Sequence, residues 1–217
     1  MENLDNGTVY TGKQLQILQV AERLFAEHGF EGTSVRDIAH EAGVNVAMIS
    51  YYFGSKEKLL HAIFSHRIVS TRLILAHILA DKEMHPMDKV EALVESMVDR
   101  MMEHKTFHRV ILHSQLTQEN EEVARLIAET KLKNLEFVNR IIVEGQRKKV
   151  FVKGVDAGML MMTIAGTIYQ AAMGGIYFRL AHPEEAADEE AFTELIKKKL
   201  KTHLKRVLKA TLTYEGK

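Results

Sequence analysis

The chain has 217 residues, with 29 lysines and arginines balancing 29 aspartates and glutamates, two prolines and no cysteine. The lack of cysteine excludes a disulfide framework and a thiolate metal site, and the scarcity of proline favours long helices. No stretch reaches the roughly 18 uninterrupted apolar residues of a membrane span, so we expect a cytoplasmic protein.

The N-terminal end is predicted to be a flexible tail followed by an amphipathic helix. Residues 1–10 are polar and contain glycine. Thr11 can cap a helix that runs to about His28, because apolar residues recur there with the 3.6-residue period. Gly29 suits the position after a helix, where the backbone often turns left-handed.

Two short helices around a glycine turn follow. Ser34 can cap the first of them, with Asp37 three residues later in the capping-box position. Gly43 interrupts the helical pattern, and Asn45 can cap a second short helix that runs to about Tyr52. In a helix-turn-helix the second helix presents short side chains to the major groove of DNA, and this pattern predicts such a motif.

The rest of the chain has helical periodicity throughout, and no alternating strand pattern exceeds it. A long helix over 56–80 is predicted to bridge two domains. These are a helix-turn-helix DNA-binding domain over 11–55 and a larger helical domain over 56–217. The expected fold class is therefore all-α, with about nine helices.

The last two predicted helices cover 156–179 and 188–212. The first is apolar almost all round and contains small residues, such as Gly166 and Ala172, that permit close helix approach. A dimer interface and a buried central helix both explain this pattern; we favour the interface, because one neighbouring helix does not cover an apolar circumference. The basic run 197–209 on the second helix is interpreted as a solvated face.

A ligand pocket between the middle helices of the larger domain is a further hypothesis. Methionine side chains adapt to irregular apolar ligands, and tyrosine and glutamine add polar contacts. The candidate lining residues are Met97, Met101, Met162, Tyr169, Gln170 and Tyr177. Methionines that only fill gaps in the core explain the same pattern. We expect an apolar or amphipathic ligand, no cofactor and no metal site, since solvated side chains explain the 11 histidines best.

The candidate DNA-contacting residues lie between Thr33 and Lys56. Side chains suited to base edges are Asn45, Val46, Ala47 and Ser50. Side chains suited to phosphate contacts are Thr33, Ser34, Tyr51, Tyr52 and Lys56. The first 60 residues contain more acidic than basic side chains, so phosphate binding would also need backbone N–H groups at the helix starts after Ser34 and Ser55. From periodicity alone, the surface of an ordinary helical bundle is an equal alternative.

The run from about Gln14 to Ala62 resembles the N-terminal domain of the TetR/AcrR family of transcriptional regulators. The matching residues are Ala21, Leu24-Phe25, Gly29-Phe30, Gly32-Thr33-Ser34, Asp37-Ile38-Ala39, Ala42-Gly43-Val44, Tyr51-Tyr52-Phe53 and the run from Ser55 to Leu60. The resemblance implies an all-helical homodimer that represses genes from a palindromic operator until a small molecule binds its C-terminal domain. It also implies a four-helix dimer interface made by 156–179, 188–212 and their mates. The family's DNA contacts fall on Thr33, Asn45, Val46, Ala47, Ser50, Tyr51, Tyr52 and Lys56.

Two other functions stay open. The same module serves a transcriptional activator equally well, because the sign of regulation depends on where the operator lies. The rival from another class is a helical small-molecule-binding protein or an enzyme. No nucleophile–base pair, phosphate-binding loop or paired-carboxylate site is recognisable in the sequence, so we do not expect an enzyme.

Overall fold

The computed structural model of the protein describes residues 10, 12–117, 121–173 and 175–214, apart from the side chains of 68–72 and 117. Residues 1–9 of the predicted tail and the predicted cap Thr11 lie outside this range. The described residues form ten α-helices and one 3₁₀ turn without a strand, which confirms the all-α fold class. None of these helices is long and apolar enough to cross a membrane.

The helices follow one another in a single series along the chain. They are α1 (Lys13–His28), α2 (Val35–Glu41), α3 (Val46–Phe53), α4 (Lys56–Ala80), α5 (Pro86–Glu103), α6 (Lys105–Thr117), α7 (Glu121–Arg147), α8 (Ala157–Met173), α9 (Ile176–Ala181) and α10 (Glu189–Thr213), with the 3₁₀ turn at Glu185–Ala187.

The starts of α2 and α3 follow the predicted caps. The backbone N–H of Asp37 donates to the Ser34 hydroxyl at 3.2 Å, and the backbone N–H of Ser34 donates to the Asp37 carboxylate at 2.9 Å. At the start of α3 the backbone N–H of Met48 donates to Oδ1 of Asn45 at 2.8 Å. The first helix instead begins after Gly12, which has no side chain to offer as a cap.

The chain divides into two compact units. Unit 1 contains the residues up to Leu73 together with Thr106–Lys131, and unit 2 contains Ile74–Lys105 and the residues from Leu132 onward. The boundaries fall inside α4 and α7, and all of α6 except its first residue belongs to unit 1. Sequence reasoning had assigned α6 to the larger domain, because periodicity does not show which neighbours a helix packs on.

The α6 helix contributes directly to the core of unit 1. The ring of Phe107 on α6 lies 5.1 Å from the ring of Phe64 on α4, measured between centroids. At the end of α1, a Cβ built on Gly29 would lie 2.7 Å from Cε1 of His113 on α6. Gly29 also has a φ of 75°. Both the left-handed backbone and the close approach of α6 therefore require glycine at this position.

Unit 2 is built around α5, α8 and α10, which pack on one another together with α7. Val94 and Val98 on α5, Ile164 and Ile168 on α8 and Leu204 on α10 are among its most buried side chains. On α10 the buried residues recur every four positions from Phe192 to Leu212. This spacing is the apolar stripe expected of a helix that packs on one side.

The helix predicted over 156–179 is divided in the structure. The α8 helix ends at Met173 and α9 begins at Ile176, while Gly174 lies outside the described residues. Glycine inside a helix costs about 1 kcal/mol relative to alanine. The two consecutive glycines in the sequence after Met173 therefore explain why α8 ends there. Sequence reasoning missed the break because apolar residues continue on both sides of it.

Part of the lysine run on α10 is engaged with α5. The Lys205 ammonium pairs with Glu91 and Glu95, and the Lys201 ammonium lies 2.7 Å from a carboxylate oxygen of Asp99. Carboxylates four residues apart on α5 thus meet lysines four residues apart on α10, since such residues share a helix face. The interpretation of the whole run as a solvated face was wrong for these two lysines.

Candidate nucleic-acid interface

The two faces of α3 have different surroundings. Ile49 and Phe53, one turn apart, are buried in the core of unit 1. Val46, Ala47 and Ser50 are exposed. The helix is therefore anchored through one face and presents small side chains on the other, which is what close approach to base edges requires.

The N-terminus of α3 is suited to the negative charge of DNA. Its first turn contains no acidic residue, so no carboxylate of the helix itself competes for its N-terminal backbone N–H groups. Asn45 uses Oδ1 for the cap at 2.8 Å from the Met48 nitrogen. The two N–H donors of the Asn45 amide are not needed for that cap and are available to a base.

The N-termini of α2 and α4 instead have carboxylates of the chain itself. Asp37 accepts hydrogen bonds from the hydroxyl and the backbone N–H of Ser34, at 2.6 and 2.9 Å, and these bonds hold the pKa of Asp37 below its usual value. Glu57 lies in the first turn of α4, where a hydrogen bond with the Ser55 side chain lowers its pKa. These carboxylates repel phosphate, so the structure argues against the anion sites predicted after Ser34 and Ser55. The Ser34 hydroxyl proton is also committed to Asp37.

Thr33 supports the turn between α1 and α2. The residue is 1% exposed, and its hydroxyl lies 2.8 Å from the carbonyl oxygen of Gly29 and 3.1 Å from that of Leu24. A hydroxyl has one proton to donate, and here the chain itself accepts it. Thr33 thus has a structural role in this turn, which argues against the predicted phosphate contact.

The adjacent residues Tyr51 and Tyr52 differ in exposure. Tyr51 is 84% exposed, and its ring centroid lies 5.3 Å from that of Tyr52 in an edge arrangement. Tyr52 is half-buried, and its ring packs edge-on at 6.3 Å from Phe53 in the core. Tyr51 is therefore a surface side chain that rests against an anchored ring, a geometry suited to a phosphate contact.

Two cations lie on the helices next to α3. The Lys56 ammonium donates to the carbonyl oxygen of Phe30 at 2.9 Å and lies 4.1 Å from the centroid of the Phe30 ring. Two of its three N–H protons stay available to a phosphate. Arg36 on α2 is exposed, and no ion pair to it is found among the residues that the structure describes. Sequence reasoning did not select Arg36, although its place outside the apolar stripe of α2 was a usable signal.

The acidic side chains of unit 1 are partly neutralised by arginines. Glu22 pairs with Arg67, which lies beyond the first 60 residues, at 2.9 Å. Arg23 pairs with Glu27 at 3.4 Å and with Glu41 at 2.7 Å. Arg23 is already included in the count over the first 60 residues, so only the Glu22–Arg67 pair reduces the acidic excess that this count gave.

Among the described residues, the six predicted pocket residues have different surroundings. Three of them lie at the core of unit 2: Met97, Met101 and Tyr169. Burial raises the pKa of Tyr169 to about 12. Met162 is 67% exposed on α8, contrary to its predicted place inside a pocket. Gln170 and Tyr177 line a surface groove of about 520 Å³ beside α10.

Two family models match consecutive parts of the chain. Residues 17–63 match the bacterial regulatory proteins of the tetR family. Residues 86–209, more than half of the chain, match the tetracyclin repressor-like C-terminal domain. The chain belongs to the TetR family. The resemblance noted over the N-terminal sequence is thereby confirmed and extends to most of the chain.

The relatives of this TetR-family chain include regulators from two bacteria. The probable HTH-type transcriptional regulator YttP of Bacillus subtilis is 28% identical over 140 residues, which are 63% of this chain and 66% of YttP. The HTH-type transcriptional repressor KstR2 of Mycobacterium tuberculosis is 23% identical over 144 residues, 66% of this chain and 65% of KstR2. The chain thus spans just under two thirds of the length of these two proteins. The fatty acid metabolism regulator protein of Bacillus subtilis is 27% identical over 157 residues, 72% of this chain and 79% of that protein.

Solved structures share the fold over nearly the whole chain. FadR of Bacillus subtilis, solved in complex with stearoyl-CoA, superposes with a TM-score of 0.69 at 21% identity and covers 91% of this chain and 98% of FadR. KstR2 of Mycobacterium tuberculosis, described as a ketosteroid transcriptional regulator, superposes with a TM-score of 0.70 at 17% identity over 96% of this chain and 98% of KstR2. At these identities the likeness is one of fold.

Proposed function

We propose that the protein is a homodimeric transcriptional repressor that binds a palindromic operator through α3 of each protomer. The observation that supports it best is α3 itself, which is anchored by Ile49 and Phe53 and exposes small side chains. Relatives described as transcriptional repressors point the same way. Two such helices would enter major grooves about 34 Å apart, one helical turn of DNA, or a multiple of it. This role places the protein in the cytoplasm.

The contacts in this proposal divide into base and phosphate contacts. Base edges would be read by Asn45, Val46, Ala47 and Ser50. Phosphates would be bound by Arg36, Tyr51, Tyr52 and Lys56. Thr33 and Ser34 are left out, because their hydroxyl protons are donated within the chain.

A binding experiment with a matched control tests the DNA contacts. The purified protein selects its operator from a randomised duplex library, and affinity is then measured by fluorescence anisotropy. We expect Tyr51→Ala to weaken operator binding about tenfold or more, since a hydrogen bond to a charged group contributes roughly 1.5–3 kcal/mol. Tyr214→Ala is the control, because Tyr214 is another exposed tyrosine, at the end of α10. Equal affinity of Tyr51→Ala and wild type would refute the contact, and no DNA binding by wild type at low salt would refute the DNA role.

The dimer is proposed to form through α8, α9 and α10, which correspond in sequence to the helices predicted over 156–179 and 188–212. Met162 on α8 and Ile176 and Leu180 on α9 are large apolar side chains that are largely exposed. Exposed large apolar side chains are typical of interaction sites, and here they recur on two consecutive helices. We expect Met162→Lys to give monomers in light scattering, while Leu132→Lys, at an exposed leucine of α7, stays dimeric. Dimers in both variants would refute this interface.

The effector is proposed to be an amphipathic molecule that binds unit 2. In support, FadR was solved with stearoyl-CoA, and Met97, Met101 and Tyr169 lie at the core of this unit. The cavity among α5, α7, α8 and α10 is about 10 Å³, whereas small-molecule pockets are roughly 300–1,000 Å³. An effector that binds among these four helices would therefore displace side chains, and a ligand that prefers the displaced state shifts the protein towards it.

Stearoyl-CoA is a suitable probe of the effector class, with free coenzyme A as its control. Of the two compounds, we expect only stearoyl-CoA to raise the melting temperature of the protein and to release it from the operator, because only the acyl chain can enter an apolar core. Release by coenzyme A alone, or by neither compound, would refute an amphipathic acyl effector. A reporter gene behind the selected operator separates repression from activation: expression rises on deletion of a repressor and falls on deletion of an activator.

A further inference from the structure

One carboxylate in unit 1 is almost fully buried. Glu22 on α1 is 7% exposed and accepts two hydrogen bonds from the guanidinium of Arg67 on α4. Nε of Arg67 lies 2.9 Å from Oε2, and Nη2 lies 3.0 Å from Oε1. Two parallel bonds between planar groups restrict both the distance and the angle between the two side chains.

The pair lies where α4 approaches the edge of unit 1. Leu60, Ile63 and Phe64 of α4 are buried in the core that α1 also lines. Arg67 follows them, six residues before unit 1 ends at Leu73 inside the same helix. At about 1.5 Å per residue, six residues of helix span roughly 9 Å. Among the α4 side chains that the structure describes, Arg67 is the last one before the boundary that bonds a residue of α1.

Apolar packing and the ion pair restrict α4 in different ways. The buried side chains of α4 fix which face of the helix meets the core, but apolar contacts are non-directional and restrict small rotations about the helix axis only weakly. A buried ion pair contributes little net stability, because desolvation of the charges offsets their attraction, but its geometry discriminates between alternative registers. The Glu22–Arg67 pair is thus suited to select one orientation of α4 on α1.

We propose that Glu22 and Arg67 are positioning residues for operator binding: their ion pair holds α4 at one rotation on α1 and thereby fixes the direction in which α4 leaves unit 1. The inference rests on the proposed function, since that direction affects DNA binding only in a dimer with two α3 helices. In such a dimer the pair sets the separation of these helices, although neither residue touches DNA.

A comparison of two DNA duplexes separates positioning from a general structural role. The variant Glu22→Gln with Arg67→Met removes both charges and keeps side chains of similar size. We expect its affinity for an isolated half-site to equal that of wild type, because one α3 helix is sufficient there. Its affinity for the full palindrome should fall about tenfold, within the usual range of coupling between sites.

A distance measurement gives a second readout that does not depend on DNA. The chain has no cysteine, so Gln19→Cys on the exposed side of α1 introduces one spin label per protomer. We expect the label-to-label distance distribution of the dimer to broaden in the Glu22→Gln, Arg67→Met background. The control is Arg23→Gln with Glu41→Gln, which removes an exposed pair of unit 1 and should change neither readout.

The outcomes distinguish this inference from the proposed function. An equal loss on half-site and palindrome, or loss of folding, would assign the pair to stability and overturn the inference. Unchanged palindrome affinity with an unchanged distance distribution would overturn it as well. A wild-type protein that binds no DNA or forms no dimer would overturn the proposed function first, and this inference with it.

Discussion

Thr33→Val tests whether this residue supports the fold or contacts DNA. Valine keeps the shape of threonine but has no hydroxyl, so the substitution removes the one proton that the carbonyl oxygens of Gly29 and Leu24 accept, at 2.8 and 3.1 Å from the hydroxyl oxygen. Because the residue is 1% exposed, water does not replace the lost donor. The change is therefore confined to one buried polar interaction.

The expected cost follows from that interaction. Loss of a buried hydrogen bond, with an acceptor left unsatisfied, lowers the free energy of unfolding by about 1–2 kcal/mol. For a chain of this length each kcal/mol lowers the melting temperature by roughly 2–4 °C, which gives a fall of roughly 2–8 °C. Operator affinity, measured well below the melting temperature, should stay at the wild-type value.

Thermal unfolding by circular dichroism and operator binding by anisotropy together decide the matter. Ser34→Ala is a useful companion, because it removes the neighbouring cap and should cost about 1 kcal/mol of stability. A Thr33→Val protein with wild-type melting temperature and weakened operator binding would refute the structural assignment. It would restore the phosphate contact predicted from the sequence.

Three further predictions concern stability. Glu144 accepts hydrogen bonds from Lys148 and Lys89, which hold its pKa below the usual 4.5; its contribution to stability is therefore present above pH 4.5 and lost as pH falls through the lowered pKa. Urea unfolding across this pH range should show the stability gap between wild type and Glu144→Gln closing in acid, and a gap independent of pH would contradict this. Gly145→Ala should lower the free energy of unfolding by more than about 3 kcal/mol, which is among the largest effects of single substitutions. The reason is that the new Cβ would lie 2.0 Å from the Phe151 ring. The control is the same substitution in a Phe151→Ala background, which lacks the ring, and an equal fall in melting temperature in both backgrounds would refute the clash. Asn45→Ala should lower the free energy of unfolding by about 1 kcal/mol through loss of the α3 cap, as measured by urea unfolding, and an unchanged value would show that the cap contributes nothing.

The features predicted correctly from the sequence are those that depend on near neighbours. Ser34 and Asn45 cap their helices because each side chain meets a backbone N–H only three residues away. Ile49 and Phe53 face the core because residues four apart share one side of a helix. These relations hold wherever the helix lies in the fold, so sequence spacing is sufficient to predict them.

The structure argues against two of the predicted phosphate contacts, Thr33 and Ser34, while the other DNA contacts stay a prediction. Threonine at the start of α2 is a suitable residue for a phosphate contact and equally suitable for bonding a nearby carbonyl. The choice between these roles depends on whether the turn after α1 buries it, as happens to Thr33. Arg36 lies outside the apolar stripe of α2, so its exposure was predictable, but the sequence does not show whether a nearby carboxylate pairs with it.

The sequence by itself determined the all-helical class, the turns at Gly29 and Gly43 and the two small helices α2 and α3. Tertiary structure alone decided that α6 completes the core of unit 1, and that Lys201 pairs with Asp99 across 102 residues of sequence. It also brought together Glu22 and Arg67, 45 residues apart. Periodicity shows which side of a helix is apolar, but any of several apolar faces can cover it. Only the packed arrangement of helices selects the partner of each charge.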